Sequence, residues 1–495
     1  MNPRTRTLLA TTAGLGLAVY CANDLAQGHY LLAGMLSLGT LWILAEWLEG
    51  PLPEAWVLSA TLFGYIVGNR GFAQFLIVPS LPIPPAEGAL ALAGLGLLVR
   101  SLVARRGPVR LDALNIAVLL WMAYGTGRLP LDIRNYKLMA LRDFALIYYA
   151  AFFFIAQRLA SFEPSYRLLR RGIDLAFLVL PFAVIANRLA PGFFLTTLTF
   201  NGSPLLFHKS DLISMYLVAA TLWFWARRER GGSRLWLVAA ALSLLLGATT
   251  ESPRAALVAG AVMTLAWLLA RRFALLGFLA TTTAIALSLA LPIELMRGTA
   301  LDQTHVYELY ERTVSLVDWG GHHTYRNADS ATVTDNNQFR IVWWKSVIAE
   351  TLEANPVFGL GFGYDLAARF LVNYDWIEIE DFSTRSPHSV LVTTFGRLGA
   401  VGLSLFLIAG LAIVASARGS FARLDYETMA WWTVAGTVGV SAAFGVVLEG
   451  PMGAVLFWTA LGIGHQRRVL AAEESDESDA DALPAAAEVI SSGKQ

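Results

Sequence analysis

A chain of 495 residues that is 56% hydrophobic and 15% charged, with mean hydropathy +0.54, lies outside the soluble globular range and repeatedly reaches membrane-spanning length. The balance of 37 basic against 37 acidic residues gives no footing for nucleic acid, and a single cysteine, Cys21, excludes an intrachain disulfide and a cysteine-built metal site. The composition predicts an all-α polytopic membrane protein.

In chain order, the basic start MNPRTRTLL leads into an apolar run with no small-residue cleavage pattern after Cys21, which predicts a retained first helix. Candidate spans lie near 7–22, 29–48, 54–69, 86–103, 111–126, 143–160, 172–190, 211–226, 235–249, 253–270, 272–292, 388–416, 428–447 and 451–465. They imply about 12–14 transmembrane helices.

With the N-terminus inside, every second loop should be basic. Most are: Arg100, Arg105, Arg106 and Arg110; Arg158, Arg167, Arg170 and Arg171; Arg227, Arg228, Arg230 and Arg234; Arg271 and Arg272; Arg418 and Arg423; Arg467 and Arg468. Only the 49–53 loop fails the pattern. Both termini are therefore expected in the cytoplasm. The predicted domains are an N-terminal transmembrane bundle at 1–292, an extracytoplasmic loop at 293–387, C-terminal transmembrane helices at 388–470 and a disordered acidic tail at 471–495. Within the loop, Thr304 to Ser315 reads as a short helix, and Asp335 or Asn336 is placed to cap a second helix over Asn337 to Glu353. The apolar face of that second helix carries Phe339, Val342, Trp343 and Val347, and it is expected to lie along the membrane surface or to pack inside the loop domain.

Cations on the outer side oppose the topology rule and so carry information. They are Arg128, Arg134, Lys137 and Arg142 in or beside one loop, Lys209 in the next, Arg254 at the start of a span, and Arg340 and Arg385 in the large loop. Solvated loop charge explains some of them, but a cationic rim over a membrane cavity also suits an anionic ligand with a lipid tail. His388, after Pro387 at the start of an apolar run, is predicted at the water boundary as a titratable imidazole. His322 and His323 read as loop residues without metal-site spacing. Arg397, nine residues into the same run, would lie about 13 Å deep at roughly 1.5 Å per residue. It should face either an anionic ligand or a buried ion-pair partner.

Three stretches resemble the O-antigen ligase and polymerase family of bacterial membrane glycosyltransferases. They are SPRAA at 252–256, FRIVWWKSVIAETLEANPVFGLGFG at 339–363 and PHSVLVTTFGRLGAVGL at 387–403, within a resemblance covering roughly 200–410. Pro253 departs from the family pattern, and the span count exceeds the usual twelve or so, suggesting an N-terminal addition. The resemblance implies a multi-pass protein of the bacterial inner membrane whose active site faces the periplasm. It also implies glycan transfer from undecaprenyl pyrophosphate to a sugar hydroxyl, with no metal or other cofactor. In that reading His388 is the base that activates the acceptor, and Arg254 and Arg340 hold pyrophosphate, with Arg142, Lys209 and Arg397 as further pyrophosphate ligands. The acceptor would be lipid A-core for a ligase or a lipid-linked repeat unit for a polymerase. From another class, a lipid-linked glycan flippase could use a basic cavity too, although it would more often show repeat symmetry and needs no large outer loop.

Overall fold

The computed structural model describes residues 16, 20, 50–75, 83–103, 111–200, 202–250, 254–314, 318, 323, 328–372 and 385–492. The readings on spans 7–22 and 29–48, Cys21, His322 and the Ser252-Pro253 pair fall wholly or mainly outside these residues.

The protein is an all-α polytopic membrane protein. Its helices are α1 (Pro53–Phe63), α2 (Pro85–Val103), α3 (Ala113–Tyr136), α4 (Leu138–Ala160), α5 (Glu163–Leu189), α6 (Ser210–Glu229), α7 (Leu235–Ala248) and α8 (Arg254–Leu269). They continue as α9 (Ala274–Met296), α10 (His305–Val314), α11 (Ala328–Ala354), α12 (Ala368–Val372), α13 (Val390–Arg423), α14 (Tyr426–Ala442) and α15 (Pro451–Ser492). A two-residue hairpin, β1 (Thr199–Phe200) with β2 (Ser203–Pro204), interrupts the helices between α5 and α6.

Among the described residues, four helices are both long and apolar enough to cross a bilayer: α2, α4, α9 and α13. The expected spans at α6 and α14 sit in the centre of the bundle, where Tyr216, Trp223 and Trp431 are fully buried. Neighbouring helices shield their polar and shorter segments from lipid, so they do not need an unbroken apolar run.

Ion pairs identify one end of the bundle. Glu427, in the first turn of α14, takes Arg170 from α5 at 2.7 Å and pairs with Arg230 at the end of α6. Arg467 of α15 reaches Glu163 at 3.0 Å, Arg100 reaches Glu54 at 3.0 Å, and His465 lies 2.8 Å from Asp112, the N-cap of α3. Antiparallel α6 and α14 therefore bring Lys209 and Phe444 to the opposite end, with the start of α8. The far end of α8 is fixed by Trp267, which donates to Thr433 at 3.1 Å, and by Arg272 over the Tyr426 ring.

One local expectation is corrected. The helix α11 begins at Ala328, so Asp335 and Asn336 lie within it rather than at its cap. Of the two settings open to its apolar face, packing is what is seen at Trp343, which is fully buried, stacks on Phe370 at 5.3 Å and donates to the Leu366 carbonyl. The helix α15 runs through Ser492 and so includes the acidic stretch that begins near Ala471.

Candidate functional site

The glycine-rich turn after α11 and the start of α13 interlock. Leu360 N donates to Gly396 O at 2.7 Å, Gly361 N to Arg397 O at 3.0 Å, and Ala400 N to Pro356 O at 2.8 Å. This exchange requires α13 to break its own ladder, and it does so at Gly399, whose φ is 63°. A side chain on Gly399 would meet the Val357 carbonyl at 2.4 Å, and one on Gly361 would meet Asp132 at 2.5 Å. The alternating glycines are therefore needed for close backbone approach and for positive φ. Arg128 locks the turn from α3, donating to the carbonyls of Phe358 and Gly359 while pairing with Asp132 at 3.3 Å.

Arg397 lies beneath this interlock and is 2% exposed, with Nη1 2.5 Å from Asp143 Oδ2. Of the two partners open to it in the sequence, an anionic ligand or a buried carboxylate, the structure gives it the carboxylate. Asp143 also accepts from Gly363 N at 2.9 Å, so the pair joins the turn to α4 and α13. Arg142, its neighbour, is exposed on α4, and Arg134 and Lys137 are exposed nearby.

His388 is only partly exposed. It sits two residues before α13 with φ 56°, half-buried, its ring 6.0 Å from that of Trp343. Burial first, then the positive charges of Arg340 and Lys209, push its pKa down to about 4, against a smaller opposing effect of Asp211. The imidazole is consequently neutral near pH 7 and holds a free lone pair. Arg340 is largely enclosed, donates Nη1 to the Phe444 carbonyl at 2.8 Å, and has its pKa lowered by that burial. Lys209 pairs with Asp211 at 3.0 Å, while its backbone N–H is held by Asn69 at 3.0 Å. Arg254 opens α8, which packs against α6 and α14, at this same end of the bundle. Thus His388, Arg340 and Lys209 form one electrostatic group, Arg254 shares their end, and Arg397 belongs to the packing below.

Sequence reasoning missed Asp211, Asp143, Trp344 and Glu449. Trp344 Nε1 donates to the Pro387 carbonyl at 2.5 Å, and Glu449 Oε1 accepts from Ser386 Oγ at 2.6 Å and Thr393 Oγ1 at 2.9 Å. Burial pushes the Glu449 carboxyl up, against the pull of Arg397 and the two hydroxyls. Asp143 had a signal, as a carboxylate beside an apolar run at the level of a deep arginine. Glu449 had little, since its partners are 56 and 63 residues away.

An apolar cavity of about 900 Å³ opens between α8, α13 and α14. It runs from Val390, Leu391 and Leu448, beside the His388 turn, to Arg418 and Phe421 at the far end.

Residues 238–407 match the family model for O-antigen ligase. Over that segment the chain is similar to the O-antigen ligase family. That segment starts in α7, ends in α13, and contains Arg254, Arg340, the glycine-rich turn, His388 and Arg397, whereas Arg142 and Lys209 lie before it. The match supports an O-antigen ligase-type glycosyltransferase function in broad terms. No curated protein matches the chain.

Proposed function

We propose that the protein transfers a glycan from undecaprenyl pyrophosphate to a sugar hydroxyl of lipid A-core, at the end of the bundle bearing His388. The observation that carries this reading is a half-buried histidine grouped with the charges of Arg340 and Lys209, two residues before Val390, which lines one end of an apolar cavity. An amphiphile with an anionic head and an isoprenoid tail matches both parts. The basic loops gathered at the opposite end support a cytoplasmic assignment for that end, and hence a periplasmic active site.

In the reaction, the acceptor oxygen attacks the anomeric carbon and its proton passes to the His388 lone pair. The bond from that carbon to the pyrophosphate oxygen breaks, and polyprenyl pyrophosphate leaves with the electron pair. It departs already anionic, so it needs positive charge rather than a proton. Arg340 can supply this: a guanidinium has five N–H donors, and the Phe444 contact uses one. Lys209 and Arg254 complete the cationic rim. Arg142, exposed at the same end, is a further candidate for the donor's pyrophosphate, and Arg397 serves the fold through Asp143.

The direct test is to incubate purified protein with an undecaprenyl-pyrophosphate glycan, with and without lipid A-core. Transfer to core supports the ligase. Growth of the lipid-linked chain without core assigns a polymerase instead. Glycan crossing a liposome membrane with no new glycosidic bond assigns a flippase.

A further inference from the structure

His388 holds a left-handed backbone conformation, φ 56°, that a non-glycine residue rarely adopts. Such a conformation persists only where the surroundings fix it from several sides. The covalent neighbours do not: Pro387 is rigid, but Ser389 is extended at φ −152° and makes no side-chain cap to α13. The restraints come from outside the segment. Ser386, before the histidine, and Thr393, one turn into α13, both donate their hydroxyls to the same oxygen of Glu449. These hydroxyls also lie 3.2 Å from each other, and both side chains are buried. Glu449 belongs to the connection between α14 and α15, so a single carboxylate ties both flanks of the His388 turn to a separate part of the bundle. The same connection contains Phe444, whose carbonyl holds Arg340.

We infer that Glu449 is a positioning residue for the transfer reaction: by clamping Ser386 and Thr393 it fixes the His388 turn and aims the imidazole at the acceptor hydroxyl. This inference rests on the reading of His388 as the base. Glu449 takes no proton from substrate and makes no donor contact. Its influence is geometric, and a base displaced by about 1 Å loses on the order of a hundredfold in rate.

The role predicts a pattern in kinetics that lost stability alone does not produce. Glu449→Ala should lower kcat at least tenfold with the KM for donor changed less than threefold. Glu449→Gln, which keeps an acceptor oxygen, should retain at least a third of wild-type kcat. Glu449→Ala combined with His388→Ala should be no slower than His388→Ala alone, because a positioning residue has nothing left to position. If Glu449→Ala fails to fold, the Ser386→Ala/Thr393→Val pair removes the same two hydrogen bonds from the other side and should give the same kcat loss. The inference is overturned if Glu449→Ala (or that pair) keeps wild-type kcat while His388→Ala is inactive. It is equally overturned if Glu449→Gln is as slow as Glu449→Ala, which would assign the carboxylate's charge, or if the double variant is slower than His388→Ala. Near-normal turnover by His388→Ala would instead overturn the functional reading itself.

Discussion

Arg397 and Asp143 form a buried ion pair, 2.5 Å between Nη1 and Oδ2, with side chains 2% and 8% exposed. Removing one member of such a pair strands the other charge and costs roughly 3–5 kcal/mol. Arg397→Met should therefore lower the melting temperature of the detergent-purified protein markedly, and Arg397→Met with Asp143→Asn should recover part of the loss. Unchanged melting together with lost donor binding would return Arg397 to the pyrophosphate ligands.

The interlock makes a second prediction that separates backbone strain from crowding. Gly298 has φ 81° with open space where a side chain would go, so Gly298→Ala should cost only about 1 kcal/mol. Gly361 has φ 96° and Asp132 2.5 Å from the added methyl, so Gly361→Ala should cost on the order of 2 kcal/mol or more. Equal thermal shifts for the two variants would mean that the turn yields easily and does not brace α13.

These contacts also mark how far the sequence could be read. The apolar runs, the short helix near His305 and the order of the three motif stretches were legible because each is a local pattern. The role of the alternating glycines was not, because Gly361 and Asp132 meet only in three dimensions. His388 was placed at a helix start and at the water boundary, but nothing local announces that its ring lies near Trp343 or within the field of Arg340 and Lys209. The early start of α11 escaped for a different reason: Asp335 and Asn336 are good caps, yet they lie in mid-helix here.

The depressed pKa of His388 sets a pH dependence. Its pKa is about 4 in the folded protein against about 6.5 when exposed, so the unfolded chain binds more protons between these values. His388 therefore contributes stability above pH 6.5 that is lost as pH falls toward 4. In catalysis, a bound pyrophosphate would offset the Arg340 and Lys209 charges and raise the pKa. The acid limb of kcat, which reports the bound enzyme, should lie at higher pH than that of kcat/KM, which reports the free enzyme. Coincident limbs would remove pyrophosphate from the neighbourhood of His388.

The arginines should behave differently from the histidine. Arg254→Ala and Arg340→Ala should each weaken donor binding by about 1.5–3 kcal/mol, the range for a charge-assisted hydrogen bond. The corresponding lysine substitutions should recover only part, because they keep the charge and lose the paired geometry. Arg340→Ala should also raise the His388 pKa, measurable by NMR titration of the imidazole, by removing the larger of the two positive charges that depress it. Normal donor binding in both alanine variants would move the pyrophosphate elsewhere.

The central claim is that His388 is the base in glycosyl transfer, and single-turnover transfer from an undecaprenyl-pyrophosphate glycan at pH 7 tests it most directly. With donor prebound and acceptor in excess, His388→Ala should form the new glycosidic bond at least about a hundredfold more slowly than wild type, with donor affinity preserved. A near-normal rate for His388→Ala, or a loss of donor binding as severe as that of Arg254→Ala, would contradict it.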